Sequence, residues 1–265
     1  MSLSDEVAGV PVWYHTIELA PGVVTPGWFD LRRVVDRLPW PDVSGKRCLD
    51  VGTYDGFLAF ELERRGAAEV IAIDIDDHDR WDWPPDVRAE GGARLAELAG
   101  EKGRGFRVAH AALGSKVDRR PLSVYDLDPV TVGTFDVVVC GTLLLHLRDP
   151  LRAVEAIRGV CAGQFLSAEQ IDLRLSALHP RTPIAELNGS GPLCQWWEPN
   201  HAGHRRMVFA GGFAIERATR PYCVPFGPSH PRLRGWTATR DRVLQRLLTG
   251  GTGVPHGAVL ARPRV

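Results

Sequence analysis

The sequence has few of the features that mark secreted, membrane-spanning or metal-cluster proteins. Its five cysteines are scattered and odd in number, and none forms a CxxC pair, which argues against a disulfide framework and favours a reducing compartment. No stretch approaches the roughly 20 apolar residues of a membrane helix. The N-terminal segment lacks the basic flank and apolar run of a signal peptide. We therefore expect a cytoplasmic protein with no membrane partner.

An excess of one charge sign is also lacking, because 32 basic and 32 acidic residues give a net charge of zero. No overall field then favours nucleic acid as a partner. One exception lies between Arg205 and Arg246, where nine arginines accompany two acids, and it leaves RNA open as a less favoured partner. The 265 residues, 44% of them hydrophobic, suit one large α/β domain in a monomer or homodimer.

Apolar segments of strand length alternate with helical patterns from residue 46 to about residue 170. This alternation predicts a mostly parallel, seven-stranded Rossmann-like α/β sheet with helices on both faces. The predicted strands are Lys46–Val51, Glu69–Ile75, Phe106–Ala111, Phe135–Cys140, Gln164–Ala168, Phe213–Ala218 and Gly257–Arg262. The predicted helices are Trp28–Leu38, Phe57–Arg65, Gly91–Lys102, Pro150–Cys161, His201–Ala210 and Asp241–Leu248, and Pro221–Pro231 is predicted to be a loop.

This pattern divides the chain into four segments. Residues 1–45 form an N-terminal arm and helix that close over a pocket, and residues 46–171 form the cofactor-binding core. Residues 172–212 are a cap-like insertion on the substrate side, and residues 213–265 add the last strands.

The most informative motif is LDVGTYDG at residues 49–56. A strand delivers Asp50, Gly52 turns the chain, and Gly56 opens the next helix, where a glycine lets the backbone approach a ligand closely. Asp74 follows at the end of the next strand, where an acid accepts hydrogen bonds from a ribose in Rossmann-like folds. Together these features predict an adenosyl-cofactor site.

The main rival is a nicotinamide dehydrogenase, whose G-x-G-x-x-G turn holds pyrophosphate at a helix N-terminus. Here Tyr54 occupies the middle glycine position. S-adenosylmethionine (SAM) carries no phosphate, and its zwitterionic amino-acid end suits a carboxylate such as Asp50. SAM is therefore the expected cofactor, and the alternative is that Asp50 and Asp55 only cap the turn.

Longer segments resemble a known group. They are VWYHTIELAPGVVTPGWFDL (Val12–Leu31), LDVGTYDGF, GTLLLHLRDP (Gly141–Pro150), FLSAEQ (Phe165–Gln170) and GAVLARP (Gly257–Pro263). They are similar to class I SAM-dependent methyltransferases related to the bacterial enzymes that carboxymethylate wobble 5-hydroxyuridine in tRNA. The resemblance implies these cofactor contacts: Gly52 and Thr53 at the methionine end, Asp74 at the ribose, Tyr125 and Asp126 beside the adenine, and Cys140, Gly141 and Thr142 beneath the sulfonium.

The chain departs from that subgroup at the residues that bind the extra carboxylate of carboxy-SAM. The tRNA enzymes hold the extra carboxylate of carboxy-SAM with a lysine, a tyrosine and an arginine. At the corresponding places this sequence has His15 and Thr16, then Leu144 or Leu145, and then His256. A buried carboxylate without cationic partners is costly, so ordinary SAM and simple methyl transfer are expected.

Methyl transfer to a hydroxyl or amine needs alignment of the nucleophile and removal of its proton. Histidine is the preferred base because its reference pKa is near 6.5. His146, which matches a histidine of the resembled group, follows the fourth strand, and His15 lies in the aromatic arm. Both are predicted catalytic residues, and the alternatives are a helix cap for His146 and packing of the arm for His15.

Four further residues are predicted to bind the acceptor substrate. Tyr14 lies in the arm, Trp196 and Trp197 supply aromatic walls, and His201 begins a helix. The spacing His201-x-x-His204 could place both rings on one helix face, but no third ligand is evident and no metal is expected.

These observations predict a methyltransferase that acts on an O or N nucleophile of a small molecule, an intermediate of specialised metabolism. The alternatives are a tRNA or RNA base-modifying methyl- or carboxymethyltransferase and a non-catalytic SAM-binding protein.

Overall fold

The structure, a computed structural model, describes residues 2–89, 102–189, 194–230, 243 and 245–264. Its strands are β1 Glu18–Ala20, β2 Val23–Val24, β3 Arg47–Val51, β4 Glu69–Asp74, β5 Asp118–Pro121, β6 Phe135–Gly141, β7 Cys161–Gln170, β8 Ala185–Leu187, β9 Trp197–Pro199, β10 Phe213–Ala218, β11 Tyr222–Val224 and β12 Val254–Pro263. Its α-helices are α1 Leu3–Ala8, α2 Phe57–Arg64, α3 Pro85–Ala89, α4 Arg104–Leu113, α5 Pro129–Val132, α6 Pro150–Val160, α7 Leu173–Leu178 and α8 His201–Ala210.

The central sheet has the strand order β5-β4-β3-β6-β7-β12-β10, and β11 pairs with one end of β12. The strands from β5 to β7 run parallel, whereas β12 pairs antiparallel with β7 and β10. Val51 pairs with Ile73 on one side and with Cys140 on the other. The carboxyl ends of β3, β4 and β6 therefore meet at one edge, which confirms the predicted Rossmann-like fold.

The central strands form because their residues are apolar on both faces, as buried parallel strands require. Along β6, Val137 and Val139 face the hydrophobic core that contains Phe60 of α2. Val138 faces the other core, which contains Val208 of α8. Helices therefore cover both faces of the sheet, and α2 and α8 lie on opposite sides of it.

The predicted strand Phe106–Ala111 is wrong, because these residues lie in helix α4. Phe106 and Ala109 are buried, and their three-residue spacing is helical. The strand that pairs with β4 is the polar segment Asp118–Pro121. It ends the strand order of the sheet, and an edge strand can carry charged side chains without an apolar pattern.

The predicted helix Trp28–Leu38 is also wrong. Two 3-10 turns, Leu31–Arg33 and Val35–Arg37, occupy this part of the arm. The backbone leaves helical geometry between them at Val34, whose φ is −128°. Asp30 caps the first turn by accepting a hydrogen bond from the backbone N–H of Arg32.

Three other predicted segments differ from the structure or lie partly outside the described residues. Pro221–Pro231 was predicted to be a loop, but it contains the short strand β11. Apart from Lys102, the predicted helix Gly91–Lys102 lies outside the described residues. The predicted helix Asp241–Leu248 is confirmed at Val243 and at residues 245–248, which are helical, and its other residues lie outside the described ranges. Within the described ranges, every helix is too short or too polar to cross a membrane.

Candidate active site

The glycine turn between β3 and α2 is fixed to the neighbouring strand. The backbone N–H groups of Gly52 and Thr53 donate to the Ile73 carbonyl at 2.9 and 3.0 Å, and the N–H of Tyr54 donates to the Asp74 carboxylate at 2.7 Å. Gly52 has a φ of +77°, in the left-handed region that favours glycine. Asp74 therefore orders the turn, and its contact with the ribose stays a prediction.

The glycine at position 56 is required by packing as well as by conformation. Its φ is +95°, and a Cβ atom added there would lie 2.5 Å from the Phe60 ring and 2.8 Å from the Phe106 ring. Glycine at position 56 thus leaves the space that these two aromatic rings occupy beside the start of α2.

Two buried polar atoms beside the turn have no hydrogen-bond partner of normal geometry among the described residues. They are Oδ2 of Asp50, which is 1% exposed, and the hydroxyl oxygen of Thr53, which is 2% exposed. Burial raises the pKa of Asp50 to about 6, although the nearby Thr53 hydroxyl and His15 oppose that shift. A buried carboxylate oxygen without a hydrogen-bond partner fits the ammonium group at the amino-acid end of SAM.

Asp74 is bound to a cation that the sequence did not reveal. Lys102 Nζ lies 2.7 Å from Oδ1 of Asp74, donates to the Ile75 carbonyl, and lies 4.3 Å from the centre of the Trp81 ring. Burial lowers the pKa of Lys102. A ribose hydroxyl that binds Asp74 must share the carboxylate with this ammonium group.

His15 is held by a carboxylate from the glycine turn. Asp55 Oδ2 accepts hydrogen bonds from the backbone N–H groups of Tyr14 (2.8 Å) and His15 (2.9 Å), and Asp55 Oδ1 contacts Nδ1 of the His15 ring. Both side chains are buried. Because a carboxylate accepts the Nδ1 proton, Nε2 remains free to accept another. Asp55, for which a purely turn-capping role was the alternative, therefore orients a predicted base.

Tyr14 and His15 line a cavity that is partly open to solvent and holds about 550 Å³ of empty space when the open solvent within it is included. Most of its wall is apolar, and the arm with its 3-10 turns contributes part of it. The carboxyl end of β6 contributes Gly141 and Thr142. The other lining residues are Phe29, Leu31, Val34, Val35, Leu38, Leu58, Ala168, Gln170, Tyr222, Val224, Val254 and His256. The cavity thus joins the predicted base to the strand edge expected beneath the sulfonium.

The residues predicted to flank the adenine are engaged with the segment after β4. Tyr125 donates its hydroxyl hydrogen to Asp82 at 2.7 Å, and Asp126 pairs with Arg80 at 3.1 Å. Both lie on the same 3-10 turn, Val124–Asp126. Their contact with the adenine stays a prediction.

His146 and the two tryptophans form a second group, away from the lining of the His15 cavity. His146 Nδ1 lies 2.9 Å from the Cys194 carbonyl, and Trp196 Nε1 donates to the Asp82 carbonyl. Trp197 Nε1 donates to the backbone of Arg148 at 3.2 Å. The structure therefore separates the two predicted bases, and the roles of His146, Trp196 and Trp197 stay predictions.

His201 and His204 lie on α8, on the sheet face opposite α2. A Cβ atom at Gly257 of β12 would lie 2.6 Å from the His201 ring, so this imidazole packs closely on the strand. His204 is fully buried, its Nε2 lies 2.9 Å from the Ser167 hydroxyl, and burial lowers its pKa to about 3. No group of three metal-ligating side chains occurs within the described part of the chain.

Glu169 is a site residue that sequence reasoning missed. It lies on β7, is 2% exposed, and accepts hydrogen bonds from the backbone N–H groups of Leu143 (3.1 Å) and Leu144 (3.2 Å). Burial raises its pKa to about 8, although these hydrogen bonds oppose the shift. The carboxyl group thereby holds in place the backbone that follows β6. An acid in an otherwise apolar strand, FLSAEQ, was the available signal.

We expect Glu169→Gln to be tolerated, whereas Glu169→Ala should lower the free energy of unfolding by about 2–3 kcal/mol, because two buried N–H groups lose their acceptor. The wild-type carboxyl has a higher pKa folded than unfolded, so its stabilising effect is complete below pH 4.5 and declines as the pH rises to 8. The glutamine variant lacks this decline, and the wild type should lose about 1 kcal/mol per pH unit relative to it. Urea unfolding at pH 5 to 8 measures both effects, and parallel pH profiles would contradict the assignment.

Comparisons with known proteins agree with this geometry. The methyltransferase domain family matches residues 29–213. Ubiquinone biosynthesis O-methyltransferase of Neisseria meningitidis serogroup C (strain 053442) is 35% identical over 117 residues, which cover 43% of this chain and 39% of that protein. The same-named protein of Dechloromonas aromatica (strain RCB) is 28% identical over 177 residues, with coverage of 65% and 64%. The matched regions thus span less than two thirds of either relative.

Two solved structures share the fold. The N-terminal domain of EvdMO1, crystallised in the presence of S-adenosylhomocysteine (SAH) and D-fucose, aligns with a TM-score of 0.53 and 15% identity, covering 98% of this chain and 94% of that one. A putative SAM-dependent methyltransferase from Listeria monocytogenes aligns with a TM-score of 0.50 and 13% identity, covering 88% and 97%. At these identities the likeness concerns the fold alone.

The sheet order and the glycine turn define the class, which is that of the class I SAM-dependent methyltransferases. The chain belongs to the methyltransferase domain family, whose match covers most of its length. S-adenosylmethionine is accordingly its methyl donor, and the Oδ2 atom of Asp50, which has no hydrogen-bond partner among the described residues, fits that cofactor.

Proposed function

We propose that the protein methylates an O or N nucleophile of a small molecule, an intermediate of specialised metabolism, that binds in the His15 cavity. The observation that carries this proposal is the cavity itself. Its wall is mostly apolar, and it brings the buried His15–Asp55 pair to the end of β6. The curated relatives named for O-methylation in ubiquinone biosynthesis support a small-molecule acceptor.

The bound SAM supplies a methyl carbon that its sulfonium already activates. The chain must hold the acceptor in line with that carbon and remove the proton of its nucleophile. His15 Nε2 takes this proton as the O–CH₃ or N–CH₃ bond forms, and Asp55 fixes the ring tautomer and stabilises the imidazolium. The apolar wall reduces the contact of the acceptor with water.

The same cavity disfavours carboxy-SAM. His15, near the expected lysine, already pairs with Asp55, whose charge repels a second carboxylate. Burial lowers the pKa of His256, near the expected arginine, to about 4, so its ring is neutral at physiological pH. An added carboxylate would therefore meet no free cation on these two residues.

Calorimetry with SAM, SAH, carboxy-SAM and NAD tests the cofactor part of the proposal. We expect SAM and SAH to bind and carboxy-SAM to bind at least tenfold more weakly, since its extra carboxylate would be buried without a cation. Preference for carboxy-SAM would make tRNA the leading acceptor. Release of SAH from SAM with hydroxylated or amino-bearing small molecules then tests the acceptor class.

The RNA alternative rests on the arginines between Arg205 and Arg246, part of which lie outside the described residues. One described member, Arg217, donates to the backbone carbonyls of Pro39 and Trp40. An RNA modifier should bind tRNA with an affinity that falls steeply as salt is raised. A weak, salt-insensitive interaction would remove this alternative.

A further inference from the structure

Thr142 has an unusual backbone conformation at the wall of the cavity. Its φ is +54°, which is a genuine outlier for a β-branched residue. It directly follows β6, and its backbone N–H donates to the Ala168 carbonyl at 2.7 Å. Strain of this kind is concentrated at functional sites, so the Thr142 side chain is a candidate for a specific role.

The hydrogen bonds of His256 fix the direction of the Thr142 hydroxyl. Nδ1 of His256 lies 2.8 Å from the Val254 carbonyl, so Nδ1 carries the ring proton and Nε2 does not. Nε2 lies 3.0 Å from the Thr142 hydroxyl oxygen and must accept its hydrogen. His256 is 4% exposed, and burial lowers its pKa to about 4, which keeps the ring neutral.

A threonine hydroxyl has one hydrogen and two lone pairs. Because that hydrogen points to His256, Thr142 can only accept hydrogen bonds from a molecule in the cavity. Tyr14 and Tyr222 also line the cavity, but a tyrosine hydroxyl can rotate and either donate or accept. Besides the proposed base His15, Thr142 is therefore a wall residue that can distinguish a donor from an acceptor.

We propose that Thr142, oriented by His256, selects methyl acceptors that carry a second O–H or N–H hydrogen besides the one removed from the nucleophile. This inference rests on the proposed function. A reacting hydroxyl has one hydrogen, which His15 takes, so the hydrogen that Thr142 accepts must come from elsewhere. The substrate class is thus a vicinal diol, an aromatic diol, an amino alcohol or an amine with two hydrogens, and a simple mono-ol is excluded.

The test uses 1,2-dihydroxybenzene and 2-methoxyphenol, which differ in one O–H group, with the protein saturated with SAH. Calorimetry should show that the wild type binds the diol at least tenfold more tightly. Thr142→Val keeps the β-branched shape and the strained backbone but removes the hydroxyl, and should bind the two probes within about twofold of each other. Thr142→Ser should restore the preference.

His256→Phe gives a second, independent readout. Without Nε2 the Thr142 hydroxyl can turn and donate to an ether, so affinity for 2-methoxyphenol should rise at least threefold over the wild type. A tenfold preference retained by Thr142→Val, or equal affinity of the wild type for both probes, would overturn the inference. Methyl transfer to both probes at equal rates would also overturn the inference about Thr142, but it would support the proposed function. A wild type that methylates no small molecule would contradict the proposed function instead.

Discussion

Replacing His15 with glutamine is expected to lower kcat for methyl transfer by about 10²–10⁴, the range typical for loss of a general base. The structure places this ring in the cavity wall and orients it through Asp55. Glutamine keeps a polar side chain that can meet the carboxylate, but it cannot take a proton. Single-turnover formation of SAH, with the acceptor in excess, measures the effect on the chemical step.

Three controls make that result specific. Affinity for SAH should stay within about threefold in the His15→Gln variant, because the lost step concerns the acceptor. Asp55→Asn should also lower kcat, since an amide that faces Nδ1 favours the wrong tautomer. His179→Gln changes an exposed histidine and should leave kcat unchanged. If His15→Gln kept more than a tenth of the wild-type kcat, the base would have to be sought elsewhere, first at His146.

Replacing Asp50 with asparagine should have opposite effects on cofactor binding and on stability. The affinity for SAM and SAH should fall about 10- to 100-fold, because a charge-assisted hydrogen bond to the cofactor ammonium is lost. The free protein should be as stable as the wild type or more stable, since Asp50 is 1% exposed and its Oδ2 has no hydrogen-bond partner among the described residues. Calorimetry with SAH and urea unfolding of the free protein measure the two effects.

The raised pKa of Asp50 also predicts the direction in which stability and SAH affinity change with pH. Burial raises the pKa of Asp50 from 3.8 to about 6, so the folded protein binds more protons than the unfolded chain between these values. The ionised carboxylate then lowers stability by about 3 kcal/mol at pH 7, and this loss disappears as the pH falls from 6 towards 3.8. SAH affinity should fall over the same window, because protonation removes the charge.

The asparagine variant should show neither trend. Asp118→Asn removes an exposed carboxylate that pairs with Arg120 at the sheet edge and serves as the matched control. Unchanged SAH affinity in Asp50→Asn would show that Asp50 only caps the turn.

The sequence predicted the central strands well, because a strand buried on both faces must be apolar almost throughout. Val137, Val138 and Val139 of β6 are each fully buried and follow this rule. The same criterion failed at β5, since an edge strand is not required to be apolar. It assigned Phe106–Ala111 to the sheet instead, where an apolar helix face gave a similar short pattern.

Of the candidate site, only the glycine turn proposed to bind the cofactor leaves a local pattern in the sequence. The residues of the turn around Gly52 are consecutive, so the motif can be recognised from the sequence alone. The contacts that define the acceptor half join distant residues, such as His15 to Asp55 and Thr142 to His256. Neither pair leaves a local pattern, because each depends on how the arm and β12 pack on the sheet.

Asp55 links the two halves of the site. Its carboxylate lies in the glycine turn and holds the backbones of Tyr14 and His15 and the ring of His15, which lines the cavity proposed for the acceptor. In thermodynamic terms, any shift of this carboxylate caused by one ligand changes the free energy of binding the other. The change must be equal in both directions, so the factor by which SAM strengthens acceptor binding is the factor by which the acceptor strengthens retention of SAM.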